Sequence, residues 1–99
     1  MINHIVMWKF RPDIPEEERR QISAGMAAGM EALGGRLPGV HTLRVVTDPL
    51  ESSNYDLLLA SAFVSEEALA AYQQNPEHLA LKETYAPAFA SRSCVDYRQ

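Results

Sequence analysis

Hydrophobic residues alternate with others from Ile2 to Phe10, then recur at three- and four-residue steps from Ile22 to Leu33, which predicts a strand followed by a helix. On the strand, His4, Val6, Trp8 and Phe10 share one face and Ile5, Met7 and Lys9 the other. The segment Arg11-Pro12-Asp13-Ile14-Pro15 breaks the strand, and Glu16, Glu17 and Glu18 fall where the positive end of a helix dipole favours carboxylates. The apolar stripe of that helix is Ile22, Met26, Met30 and Leu33. Gly25 and Gly29 weaken the helix but permit close packing, and Gly34-Gly35 is its expected end. Val40 to Thr47 reads as a second strand, Asp48 to Asn54 as a polar turn region, and Tyr55 to Val64 as a third, highly apolar strand. Ser65 ahead of Glu66 and Glu67 is an N-cap pattern opening a second helix, and Ser91 to Tyr97 forms the last strand. The order βαββαβ predicts an α+β, ferredoxin-like fold over residues 1–99, a four-stranded antiparallel sheet with helices on one face.

Proline divides the second helical region. Pro76 lacks an N–H and disfavours helix at Asn75, so one helix should end at Asn75 and another begin at Pro76 and run to about Thr84. Such a bend can turn Tyr72 and His78 toward one point, whereas an unbroken helix would set them on different faces. Histidine titrates near neutrality, and a phenol can orient it or donate to a developing oxyanion. The pair is therefore the candidate proton-transfer site.

The strands also carry information about assembly. The two helices cover only one face of the sheet, and a face open to water should alternate between apolar and polar residues. Strand 3 does not follow that rule: Leu57 and Leu59 point one way, while Leu58, Ala60, Ala62 and Val64 point the other. At roughly 25 cal/mol per Å², covering a few hundred Å² of such surface contributes several kcal/mol before association costs. The expectation is a homodimer with the two sheets packed face to face.

Composition narrows the function classes. The formal net charge is −4 and no basic cluster exceeds Arg19-Arg20, which excludes the concentrated positive footprint of a nucleic-acid binder. A lone Cys94 precludes an internal disulfide, and a reducing, cytoplasmic setting is expected with no membrane partner. His4, His41 and His78 fall on separate elements without metal-ligand spacing, and no glycine-rich phosphate loop follows a strand, so neither a metal nor a cofactor is expected.

The opening His4-Ile-Val-Met-Trp-Lys-Phe10, the segment Tyr72-Gln-Gln-Asn-Pro-Glu-His78 and the closing Val95-Asp96-Tyr97 resemble the stress-responsive A/B barrel domain family over nearly the whole chain. The resemblance implies a dimeric α/β barrel. In a plant member that cyclises a linear polyketide thioester, a general-base histidine and a tyrosine match His78 and Tyr72, and a pocket histidine matches His4. A further pocket histidine of that member falls at Leu57, which makes the site here more apolar.

Together these readings predict an apolar pocket with His78 and Tyr72 as catalytic residues, and His4, Val6, Trp8, Leu57, Met26 and Met30 as substrate-binding residues. The implied activity is that of a cofactor-free cyclase, lyase or isomerase acting on a carbonyl compound. The alternative is a non-catalytic protein that holds a small hydrophobic molecule. Each site residue also has a plainer role: His78 as an exposed residue of a first helical turn, Tyr72 packing its ring with its hydroxyl in water, and His4 as a satisfied core histidine.

Overall fold

The computed structural model describes residues 1–99. Strand β1 (Ile2–Phe10) leads into helix α1 (Glu16–Arg36), strands β2 (Val40–Val46) and β3 (Leu57–Phe63), helices α2 (Glu66–Gln74) and α3 (Pro76–Tyr85), a short 3-10 turn (Ala86–Ala88) and strand β4 (Phe89–Arg98). The sheet is antiparallel throughout, in the order β2-β3-β1-β4. The ferredoxin-like arrangement expected from the hydrophobic pattern is the one the chain adopts.

Parity along β1 fixes the two faces. Ile2, His4, Val6, Trp8 and Phe10 are all buried beneath the helices, and their β3 register partners Phe63, Ser61, Leu59 and Leu57 join them there. Two apolar clusters result. One gathers Val6, Trp8, Phe10, Met26, Met30, Val45, Leu57 and Leu59; the other gathers Ile2, Leu33, Phe63, Leu69 and Tyr72. The opposite face presents cross-strand rows such as Val46–Leu58–Met7 and Arg44–Ala60–Ile5–Val95, with Tyr97 opposite Asn3. Val95 and Tyr97 are about half exposed on it.

Three boundaries differ from the sequence expectation by more than one residue, each because a long-range contact overrides the local signal. Helix α1 continues through Gly34-Gly35 to Arg36 because Gly34 is buried against Leu43 of β2. Strand β3 starts at Leu57 rather than Tyr55 because the Asp56 carboxylate accepts the Phe10 N–H at 2.8 Å, while the Asp56 N–H donates to the Trp8 carbonyl at 2.9 Å. Strand β4 starts at Phe89 rather than Ser91: a register shift between Lys9 and Phe10 sets Phe89 opposite Phe10, with ring centroids 5.0 Å apart. No helix is long and apolar enough to cross a membrane.

The adjacent glycines give opposite predictions. A Cβ on Gly34 would lie 2.9 Å from the Leu43 Cβ, an atom fixed to the β2 backbone, whereas one on Gly35 meets nothing within 4 Å. Urea denaturation should show Gly34→Ala destabilising the fold by about 1–3 kcal/mol through overpacking. Gly35→Ala should stabilise it by about 0.5–1 kcal/mol through helix propensity.

Candidate active site

Asn75 terminates one helix and starts the next. Its N–H donates to the Tyr72 carbonyl at 3.2 Å, and its side-chain oxygen accepts the Glu77 N–H at 2.8 Å, with Pro76 at the first helical position of α3. The reset brings His78 alongside Tyr72, their ring centroids 4.4 Å apart. It also brings the His78 Nδ1 within 3.2 Å of the Gln73 carbonyl. A carbonyl oxygen only accepts, so this contact holds the neutral imidazole as the Nδ1–H tautomer and leaves Nε2 with its lone pair. Partial burial lowers the His78 pKa from its ordinary value, opposed by the Gln73 hydrogen bond and assisted by the positive charges of Lys82 and Arg92. His78 is thus a neutral base at physiological pH.

His78 faces a cavity of about 240 Å³ between the helices and the sheet, just below the usual 300–1,000 Å³ of small-molecule sites. Val6, Trp8 and Leu59 form its floor, Met26 and Met30 of α1 one wall, and Leu81 and Tyr85 of α3 the other. The α1–α3 seam is close because it runs over glycines: a Cβ on Gly29 would come within 2.7 Å of the Leu81 side chain, and one on Gly25 would collide with the Tyr85 hydroxyl. Of the residues singled out in the sequence, His4, Val6, Trp8, Met26, Met30 and His78 line this one cavity. Leu57 and Tyr72 do not line this cavity. Leu57 is sealed in the core with Trp8 and Phe10, and Tyr72 is 1% exposed, packed against Phe63 and His78. The Tyr72 hydroxyl does not reach water; it is buried without a hydrogen-bond partner, and burial pushes its pKa up to about 12. Tyr72 remains a neutral phenol backing the His78 ring.

The second histidine is held from β4. His4 is 2% exposed, and its Nδ1 is hydrogen-bonded to the carboxylate of Asp96, its register partner. The ionised carboxylate only accepts, so His4 too keeps its proton on Nδ1. Cys94 lies next to this pair, its sulfur 3.8 Å from the His4 Nδ1 and 3.7 Å from Asp96. These three groups are the one place where metal-ligand atoms converge. A cation there would have to displace the His4 proton and ionise a thiol whose pKa is raised by burial and by the Asp96 charge.

Sequence reasoning did not pick out Leu59, Leu81, Lys82, Tyr85 and Arg92 as lining residues, nor Asp96 as the partner of His4. For α3 the signal was present, since Leu81, Lys82 and Tyr85 follow His78 at three, four and seven residues and so share its face. For Arg92 and Asp96 it was not, because their placement depends on the β1–β4 register.

The fold and this helix-covered cavity define a small α+β domain built on an open ferredoxin-like sheet. The chain belongs to the stress-responsive A/B barrel domain family, whose profile matches residues 2–99. No curated protein matches the sequence. Among solved structures, the chain is similar to a dimeric ferredoxin-like protein of unknown function from Bacteroides fragilis, at 28% identity and a TM-score of 0.91, over 99% of this chain and 95% of that one. A dimeric ferredoxin-like protein from Thermobifida fusca aligns at 23% identity and a TM-score of 0.81, over 99% and 90% of the two chains. The fold is shared with a hydroxynitrile lyase from Passiflora edulis, at 17% identity and a TM-score of 0.73, covering 97% of this chain and 90% of the enzyme.

Two measurements check the site geometry. Long-range ¹H–¹⁵N NMR should show His78 protonated on Nδ1 and titrating below the ordinary 6.5. Tyr72→Phe removes only an unpartnered buried hydroxyl, so thermal unfolding should show stability unchanged or raised by up to about 1 kcal/mol.

Proposed function

We propose that the cavity binds a small, largely apolar carbonyl compound and that His78 acts on it as a general base, in a cofactor-independent cyclase, lyase or isomerase. The observation that carries this reading is the neutral His78 imidazole, its Nδ1 committed to Gln73, standing on the wall of an apolar cavity. The His78 Nε2 takes a proton from the carbon beside the carbonyl, and the C–H electron pair moves into the enolate. That enolate then closes on a second carbonyl of the same molecule, expels a leaving group, or is reprotonated at another carbon; His78 gives its proton back to the new alkoxide, the departing group or that carbon respectively, and is neutral again. Tyr72 positions the base by packing on its ring; the enclosing apolar walls limit water. Catalysis also occurs on this fold elsewhere, as the hydroxynitrile lyase illustrates.

The test is exchange of deuterium from the α-carbon of an aryl 1,3-diketone, followed by NMR. His78→Ala should lower the catalysed rate by roughly 10²–10⁴ while the fold is retained. Protonated His78 cannot accept a proton, so kcat/KM should fall as pH drops through a value below 6.5 and stay level near neutrality. Exchange that persists in His78→Ala would sink the assignment. A second reading, ligand binding without turnover, draws on Tyr72: its hydroxyl lies off the cavity wall, so the cavity lacks the phenol acid of the expected pair. Saturable binding of the diketone with no exchange would select it.

The proposal includes a homodimer formed through the outer face of the sheet. Ile5, Met7, Leu58, Ala60, Val46 and Val95 make that face apolar, and the Bacteroides and Thermobifida proteins of the same fold are dimeric. Light scattering at micromolar concentration should return twice the 11.0 kDa chain mass. Leu58→Glu, which sets a carboxylate in the middle of the buried patch of each copy, should return a folded monomer.

A further inference from the structure

The cavity is electrostatically unlike the chain around it. The sequence holds 13 acidic and 9 basic side chains, yet no Asp or Glu lines the cavity. Its charged lining residues are both cationic: Lys82, one turn beyond His78 on α3, and Arg92 of β4, opposite Trp8 in the β1–β4 register. Neither has a carboxylate partner. Elsewhere, Arg11, Arg20, Arg36 and Arg98 each face one, in Asp13, Glu17, Glu77 and Glu66, whereas Lys9, Arg19 and Arg44 also lack one but lie outside the cavity lining. The carboxylate of this region, Asp96, is bonded to His4 and lines the neighbouring depression instead. Arg92 is exposed to solvent while lining the cavity, and its charge still reaches His78, Tyr72 and Cys94.

Two unpaired cations from different elements at one apolar hollow define a chemical class of ligand. We infer that the cavity selects apolar carboxylic acids, with the carboxylate held by Arg92 and Lys82 and the apolar body lying against Trp8, Met26, Met30 and Leu59. Arginine offers a planar fork that fits a carboxylate in two-point fashion, and lysine adds a mobile charge. The volume of about 240 Å³ suits a single aromatic ring with a short chain. This assignment rests on the cavity being the ligand site proposed above, and is independent of whether turnover follows.

The experiment compares 3-phenylpropionate with 3-phenylpropanamide, which has nearly the same shape and no charge, by isothermal titration calorimetry at pH 7.5. A charge-assisted contact should make the acid bind roughly tenfold to a hundredfold tighter than the amide. The preference should shrink as salt rises. Arg92→Gln with Lys82→Gln should erase the preference by weakening the acid far more than the amide; both residues are exposed, and circular dichroism confirms the fold. Equal affinities in the native chain, or a preference that survives the double substitution, overturn the carboxylate assignment while the cavity stands. Failure of both ligands to bind at millimolar concentration overturns the cavity reading along with it.

Discussion

The turn at Asn75–Pro76 governs the site. Without it, Tyr72 and His78 would belong to one helix and diverge. With it, Asn75 closes the last turn of α2 through the Tyr72 carbonyl and opens the first turn of α3 through Glu77. The restart leaves the Gln73 carbonyl facing His78. A carbonyl that would otherwise meet solvent at a helix end thereby becomes the group that decides which imidazole nitrogen carries the proton. The same restart directs His78, Leu81, Lys82 and Tyr85 to one cavity wall at helical spacing.

Burial then sorts the neighbouring groups into roles that their types alone do not assign. Two histidines both keep Nδ1 protonated, His78 through a backbone carbonyl and His4 through the Asp96 carboxylate. Removal from water favours the neutral form of each group it touches: it lowers the pKa of His78 and raises those of Tyr72 and Cys94. A phenol with a pKa of about 12 is a poor proton donor in a mildly basic environment, and a thiol held above its ordinary range is a poor nucleophile. The reactive character of this cluster is thereby concentrated in one imidazole. In the proposed reading, the Tyr–His pair that catches the eye in the sequence is a base and its backing.

What the sequence revealed divides by range. Local grammar placed β1 to the residue, the Ser65 cap and the break at Pro76, because each depends on side chains within a few positions. The β1 residues of the cavity floor, Val6 and Trp8, and the α1 wall followed from strand and helix periodicity. Where distant segments decide, local reading fell short. The Gly34-Gly35 pair looks like a stop signal, and only the proximity of Leu43 makes it a packing site inside a continuing helix. Leu57 shares a face with Leu59, yet Leu59 reaches the cavity and Leu57 lies sealed beyond it. Asp96 and Arg92 meet β1 through a register that joins the two ends of the chain, and no local periodicity announces it.

The alternation along β1 has an evolutionary corollary. His4, Val6 and Trp8 look toward the helices, while the intervening Ile5 and Met7 look away from them. Odd and even codons of one short segment therefore answer to separate selective pressures. A lineage can retune its chemistry by drifting at one parity while the other stays fixed, which offers a physical route for a single scaffold to diversify what it recognises without dismantling its outer sheet surface.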